Sequence, residues 1–187
     1  MRALIIIPTY NEIENIEAII RAVFDQSEDF HVMIVDDASP DGTAEAVKNL
    51  QTTFDGRLHL LQRSGKLGLG TAYIAGFEWG LARDYDYLFE MDADFSHDPA
   101  DLPRLLAACQ AQHADVAVGS RYCKNGEVVN WPFDRILLSY CASLYARIML
   151  WMPVSDPTAG FICYRREVLQ TMNLRSIRFV GYAFQIE

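Results

Sequence analysis

The chain has 187 residues, 51% hydrophobic and 22% charged, which suits one globular core and excludes a disordered or low-complexity protein. Its net charge of −9 argues against a nucleic-acid partner, which selects for a basic face. No run of about twenty apolar residues is present to cross a bilayer, and Met1-Arg2 leads into a short apolar run ended by a turn, unlike a signal peptide.

Ala3–Ile7 is a continuous apolar run stopped by Pro8, the pattern of a strand buried on both faces. Asn11 with Glu14 three residues on resembles a capping signal, and Ile13, Ile16, Ile20, Val23 and Phe24 then repeat at helical spacing. His31–Val35 predicts a second strand ending at Asp36-Asp37. The turn residues SPDG follow, then a helix carrying Ala44, Val47 and Leu50. Leu58–Leu61 reads as a third strand, and the glycine-rich GKLGLG opens a helix through about Arg83. Asp86–Met91 is a fourth strand, Pro99 suits the first position of a fourth helix, and Val116–Gly119 is a fifth strand.

Strands alternating with helices predict a single α/β domain, its sheet mostly parallel with helices on both faces. Ligands in such sheets bind beyond the C-terminal strand ends. Four polar clusters fall there: Pro8-Thr9-Tyr10, Asp36-Asp37, Asp92-Ala-Asp94 and Ser120-Arg121. Burial and a like-charged neighbour both disfavour an ionised carboxylate. A divalent cation reverses that preference, and magnesium typically takes one or two carboxylates plus substrate phosphates. One Asp capping a helix with the other solvated is the competing account of so short a motif. Charge is also uneven. Residues 1–120 hold 8 Lys/Arg and 20 Asp/Glu, whereas 121–187 hold 8 and 5, so a locally basic second part could meet phosphate or an anionic membrane. Cys109, Cys123, Cys141 and Cys163 lack CxxC spacing and read as buried small apolar residues of a reduced protein.

Seven stretches then occur in order: PTYNE (8–12), VDDASPDGT (35–43), GKLGLGTAYIAGF (65–77), MDADFSHDP (91–99), GSRY (119–122), NWPFDR to Ser139 (130–139) and GYAFQIE (181–187). Together they resemble the family 2 inverting glycosyltransferases, in the polyprenol-phosphate (dolichol-phosphate) mannosyltransferase branch. The resemblance implies a nucleotide-diphospho-sugar transferase (GT-A type) domain over 1–187. About 1–120 would serve the nucleotide sugar and about 121–187 the acceptor and membrane. It implies transfer of mannose from GDP-mannose to a polyprenyl phosphate with inversion, dependent on Mg2+ or Mn2+, by a protein peripheral on the cytoplasmic face of the membrane. Relatives usually continue past FQIE, so a C-terminally truncated chain is expected, with Gln185 and Glu187 at its limit.

By the same resemblance Pro8, Tyr10 and Glu12 contact base and ribose, and Asp37 hydrogen-bonds the base. An aromatic face and carboxylate acceptors suit those tasks; core packing is the alternative for Tyr10. GKLGLG has neither GxGxxG spacing nor a Walker ending. Lys66 there either adds charge beside phosphate or is simply solvated. Asp92 and Asp94 match the metal pair, with Asp94 also a candidate base or aligner. Where some relatives place Gln, Ser96 stands as a weaker ligand, followed by His97, which would orient a carboxylate or the acceptor. Arg121, Arg135 and Ser139 are assigned to the acceptor phosphate, for which arginine offers bidentate charge-assisted bonds. Asp156, Thr158 and Gly160-Phe161 match a motif near the acceptor side.

Trp131–Pro153 is apolar with few charges. It reads either as an interfacial amphipathic helix or as one buried against the sheet. A UDP-glucose donor, a non-catalytic nucleotide-sugar-binding module and a sugar nucleotidyltransferase are the competing functions. The last usually carries a basic glycine-rich loop near the N-terminus, where PTYNE stands instead.

Overall fold

In the computed structural model the described residues are 2–54, 56–111, 114–120, 141, 143–145, 148–149, 151, 154, 156–179, 181 and 184. Along the chain run β1 (Ala3–Thr9), α1 (Ile16–Phe24), β2 (Phe30–Asp36), α2 (Thr43–Gln51), β3 (Leu58–Gln62), α3 (Leu69–Leu81) and β4 (Tyr87–Glu90). A 3-10 turn at Pro99–Asp101 leads into α4 (Leu102–Ala111), then β5 (Val116–Val118), β6 (Ile162–Arg165) and α5 (Arg166–Thr171). The strands form one sheet in the order β3-β2-β1-β4-β6-β5. All pairings among the first four are parallel, while β6 is antiparallel to both β4 and β5.

Side-chain alternation explains how an unbroken apolar strand serves two layers. Ile5, Ile7, Val32, Ile34 and Phe89 face one core with α1, α2 and α4. Leu4, Ile6, Met33, Val35 and Leu88 face the other, which receives Tyr73 and Phe77 of α3 and Leu169 of α5. Helix α3 lies so close to β1 that a Cβ on Gly76 would stand 2.5 Å from Ile6 Cγ2.

Two expectations change. Helix α1 starts at Ile16, not at a cap on Asn11, and Ile13 is exposed. The backbone N–H groups of Asn11, Glu12 and Ile13 are bound instead by Ser39 Oγ (3.1 Å), Thr43 Oγ1 (3.0 Å) and Asp41 Oδ2 (3.0 Å). These bonds hold residues 11–13 as a loop against the next strand–helix turn, with Asn11 in the left-handed region. The second change is β6, a strand of four residues whose apolar signal is too short to stand out by periodicity. Because β6 reverses direction, β5 is again parallel to β4, and Ser120 reaches the same rim as Thr9 and Asp36.

Candidate active site

The rim begins with a cross-tied shelf. Thr9 Oγ1 donates to Asp36 Oδ1 (2.9 Å), and the Ser39 N–H and hydroxyl donate to the two oxygens of the same carboxylate (3.0 and 2.6 Å). Asp36 is fully buried and holds β1 to the turn that follows β2. Asp37, also buried, ion-pairs with Arg63 through Oδ1 and accepts the Leu67 N–H at Oδ2 (3.0 Å). Arg63 continues to Thr71 Oγ1 (2.7 Å) and the Gly68 carbonyl (3.1 Å). One buried guanidinium thus fastens the GKLGLG loop to the end of β2. Lys66, on that loop, sets its ammonium 4.1 Å from the centre of the Tyr10 ring. Tyr10 is 38% exposed, so it is a surface aromatic and not core. Pro8 sits in β1 opposite Val35. Glu12 Oε2 accepts from Asn15 Nδ2 (3.2 Å), and residues 11–15 with Pro40 and Asp41 line a cavity of about 390 Å³.

Beyond β4 the chain leaves extended geometry, and Phe95 takes a left-handed φ of 58°. The two carboxylates here differ sharply. Asp92 is half-buried, and the Tyr73 hydroxyl of α3 donates to its Oδ1 (3.0 Å). Its own N–H donates to His97 Nδ1 (3.2 Å), which leaves the proton of a neutral ring on Nε2. The His97 ring stacks on Phe161, 5.0 Å away and 10° from parallel. Asp94 is exposed and accepts the Ser96 N–H at Oδ1 (2.9 Å). Burial, with the Asp94 charge behind it, raises the Asp92 pKa against opposition from His97 and Tyr73. For Asp94 burial also pushes upward, but bonds from the Ser96 hydroxyl and N–H outweigh it and the pKa falls.

Among the described residues no three or more His, Cys, Asp or Glu side chains are grouped to hold a metal ion unaided. Two carboxylates, one reluctant to ionise beside an ionised neighbour, are the donor set that a hard cation completes with substrate phosphates. The residues present fit such an ion.

Arg121, Arg135 and Ser139 lie outside the described residues, as do 131–140 of the Trp131–Pro153 stretch, Cys123, Gln185 and Glu187. Residues 141, 143–145 and 148–149 are helical. Leu144 (41%), Tyr145 (67%), Ile148 (64%), Met149 (60%) and Trp151 (92%) are exposed, so these side chains are not packed on the sheet. Cys109 and Cys163 are buried as expected, whereas Cys141 is exposed because it belongs to this same surface stretch. No helix among the described residues is long and apolar enough to cross a membrane. Asp156 is buried and accepts from Ser143 Oγ (3.1 Å) and Thr158 Oγ1 (3.2 Å), a tie between the helical stretch and the turn before β6.

Sequence reasoning singled out neither Arg63 nor Tyr73. One arginine among sixteen basic residues carries no local signal, and Tyr73 reads as one more apolar position of α3. Only the fold shows that each ends on a rim aspartate.

A single mixed sheet with a carboxylate-bearing rim at its parallel strand ends is the architecture of a GT-A nucleotide-sugar transferase. Residues 4–172 match glycosyl transferase family 2, and the chain belongs to that family and to its glycosyltransferase enzymes. It is 48% identical over 186 residues to the polyprenol monophosphomannose synthase of Mycolicibacterium smegmatis, covering 100% of this chain and 70% of that protein. It is also 48% identical over 187 residues to the undecaprenyl-phosphate mannosyltransferase of Micrococcus luteus, covering 100% and 76%. The dolichol-phosphate mannosyltransferase of Pyrococcus furiosus is 37% identical over 183 residues, covering 96% of this chain and 50% of that one. Among solved structures, the mannosyltransferase PcManGT from Pyrobaculum calidifontis, in complex with GDP-Man and Mn2+, has a TM-score of 0.63 at 20% identity, covering 92% of this chain and 46% of that one. S. aureus TarS 1–349 has a TM-score of 0.67 at 20% identity, covering 100% and 53%. At that identity the likeness is one of fold. The chain spans about half the length of these two solved proteins.

Proposed function

We propose that this chain transfers mannose from GDP-mannose to a polyprenyl phosphate with inversion, using Mg2+ or Mn2+. The observation that carries the reading is the pairing of a half-buried, Tyr73-bonded Asp92 with an exposed Asp94 on the rim that also holds the Tyr10–Lys66 shelf. The names of relatives at 48% identity across the whole chain support the mannosyl and polyprenyl parts. The complex of PcManGT supports a GDP-mannose donor and a divalent ion.

In this reading Pro8, Tyr10, Glu12 and Asp37 receive the nucleoside. Asp37 is already bound to Arg63 and the Leu67 N–H, so it offers the base an acceptor that does not move. Lys66 lies within reach of the diphosphate. Asp92 and Asp94 hold the cation, with Ser96 a weaker ligand. A cation held by these residues would supply Lewis acidity toward the charge that develops on the departing GDP. The acceptor phosphate is itself anionic near neutral pH, so it needs aiming more than deprotonation. Arg121, Arg135 and Ser139 are assigned to capture it and hold it in line with the sugar, which is proximity and electrostatic catalysis. The exposed apolar residues from Leu144 to Trp151 would rest at the headgroup level of the cytoplasmic membrane face, bringing the lipid to the rim.

The test is incubation with labelled GDP-mannose, Mn2+ or Mg2+ and a short polyprenyl phosphate, followed by extraction of label into organic solvent. UDP-glucose runs in parallel. Label transferred only from UDP-glucose overturns the donor. Binding of GDP-mannose without transfer from either donor reduces the protein to a binding module. Arg135→Ala should weaken use of the lipid phosphate while leaving donor affinity intact; equal loss of donor affinity would remove that division of labour.

A further inference from the structure

Tyr73 is, with Tyr85, among the largest fully buried side chains of the described residues, yet its one polar atom ends on the rim. It projects from the second turn of α3 through the core beneath β4, and its hydroxyl donates to Asp92 Oδ1 at 3.0 Å. Its ring is clamped on two sides. Phe77, one helical turn on, lies 6.4 Å away at 26°, and Phe184, from near the C-terminus, stacks at 6.1 Å and 12°. Gly70 makes room for that second ring: a Cβ there would stand 2.8 Å from Phe184 Cβ and from the Phe179 carbonyl oxygen. The phenol therefore has little freedom to rotate away from the carboxylate.

We propose that Tyr73 is a positioning residue that fixes which oxygen of Asp92 faces the metal and diphosphate, acting through that carboxylate and touching no substrate. The proposal rests on the metal-site reading above. A carboxylate has two oxygens, and a donor fixed on Oδ1 leaves Oδ2 as the one presented outward. The His97 ring holds the backbone N–H of the same residue, so Asp92 is restrained at main chain and side chain together. Asp94 has only its near neighbour Ser96 among the hydrogen bonds described for it. The pair thus divides into a fixed ligand and an adaptable one. Partners of metal-binding carboxylates set ligand orientation in just this way, and their removal typically costs about 10- to 100-fold in metal affinity.

A bond that merely satisfies a core hydroxyl would be equally good for folding, and the protein supplies its own control. The Tyr164 hydroxyl donates to Glu90 Oε1 at 3.1 Å, another buried tyrosine–carboxylate bond, attached to the same strand but two residues before the site. Tyr73→Phe and Tyr164→Phe each delete one hydroxyl and keep the ring. The experiment measures Mn2+ affinity of the full chain at saturating GDP, from the paramagnetic resonance signal of free Mn2+, beside thermal melts of each variant. Expected is a lower Tm for both, with Mn2+ binding weakened about tenfold or more in Tyr73→Phe and unchanged in Tyr164→Phe. Phe184→Ala, which frees the phenol without removing it, should weaken Mn2+ binding by a smaller factor, and it reads the same bond should Tyr73→Phe not fold. Unchanged Mn2+ affinity in Tyr73→Phe or, if that variant does not fold, in Phe184→Ala overturns the proposal, as does an equal loss in Tyr164→Phe. A wild-type chain that binds GDP but no Mn2+ overturns the metal reading itself, and is recognised before any variant is compared.

Discussion

The shelf that receives the first polar clusters and the helical stretch around Tyr145 satisfy their side chains in opposite ways. On the shelf, Asp36, Asp37, Ser39, Asp41, Thr43 and Arg63 are bound to one another or to nearby backbone, and the two aspartates at the strand end are buried. Around Tyr145, large apolar side chains face outward. The shelf is finished by the protein alone, as a polar cleft of fixed shape must be. The apolar stretch is the kind of surface that a partner or a lipid interface completes.

The sharpest way to separate the two regions is to remove charge from the rim without touching its packing. Asp94→Ala should cut transfer at least about a hundredfold, the scale of a lost metal ligand, while leaving the melting curve in place because Asp94 is exposed. A variant with near-normal turnover would detach the site from chemistry altogether. Next comes Arg63→Met. Stripping the cation from a buried pair costs about 3 kcal/mol or more, so the Tm should fall and GDP affinity with it as the glycine loop loosens. Retention of both would mean that the shelf is not held as described. In the other region, a combined Tyr145→Ser, Ile148→Ser and Trp151→Ser change should reduce binding to anionic vesicles in a flotation assay. Stability should move by no more than about 0.5 kcal/mol, as for surface changes generally. A large drop in Tm would show these side chains to be packed after all.

The smallest effect belongs to the opposite end of the sheet. His31 Nδ1 and His59 Nε2 both meet the Tyr85 hydroxyl (3.1 and 3.2 Å), and the Arg2 guanidinium lies over the Tyr85 ring. Burial, then Arg2, the His59 charge and Arg57 pull His31 from 6.5 down to about 4, against Asp29. Burial with Arg83 and Arg2 also lowers His59. A folded pKa below the unfolded one means that the native state binds fewer protons. This contribution is complete above about 6.5 and drains as the pH falls toward 4. The His31 ring is only partly buried, so the loss is smaller than the full shift implies. Melts at pH 7.5 and 4.5 should converge for His31→Gln relative to wild type; parallel curves would remove the histidine from the acid response.

Much of this was legible in the sequence because it is local. An unbroken apolar run marked β1, shorter apolar-rich runs marked β2 to β5, and polar residues at their ends marked the rim. Tyr10 and Lys66 could each be named, but their contact across fifty-six positions could not. The start of α1 was misplaced for a related reason: the Asn11 signal is real as local chemistry, but Ser39, Asp41 and Thr43 compete for the same backbone groups from a distant turn. Strand β6 was missed because four residues give periodicity too little length to register.

The reversed strand has one further consequence. Since β6 runs against β5, the end of β5 and the start of β6 lie side by side at the rim, where the Gly119 N–H donates to the Phe161 carbonyl at 2.7 Å. The segment that joins them therefore starts and finishes at one doorway beside the rim. Its length can drift without shifting the register of the described strands, which is set at the doorway itself. A lineage could exchange what lies between those two ends as a cassette while the paired strands beneath stayed as they were.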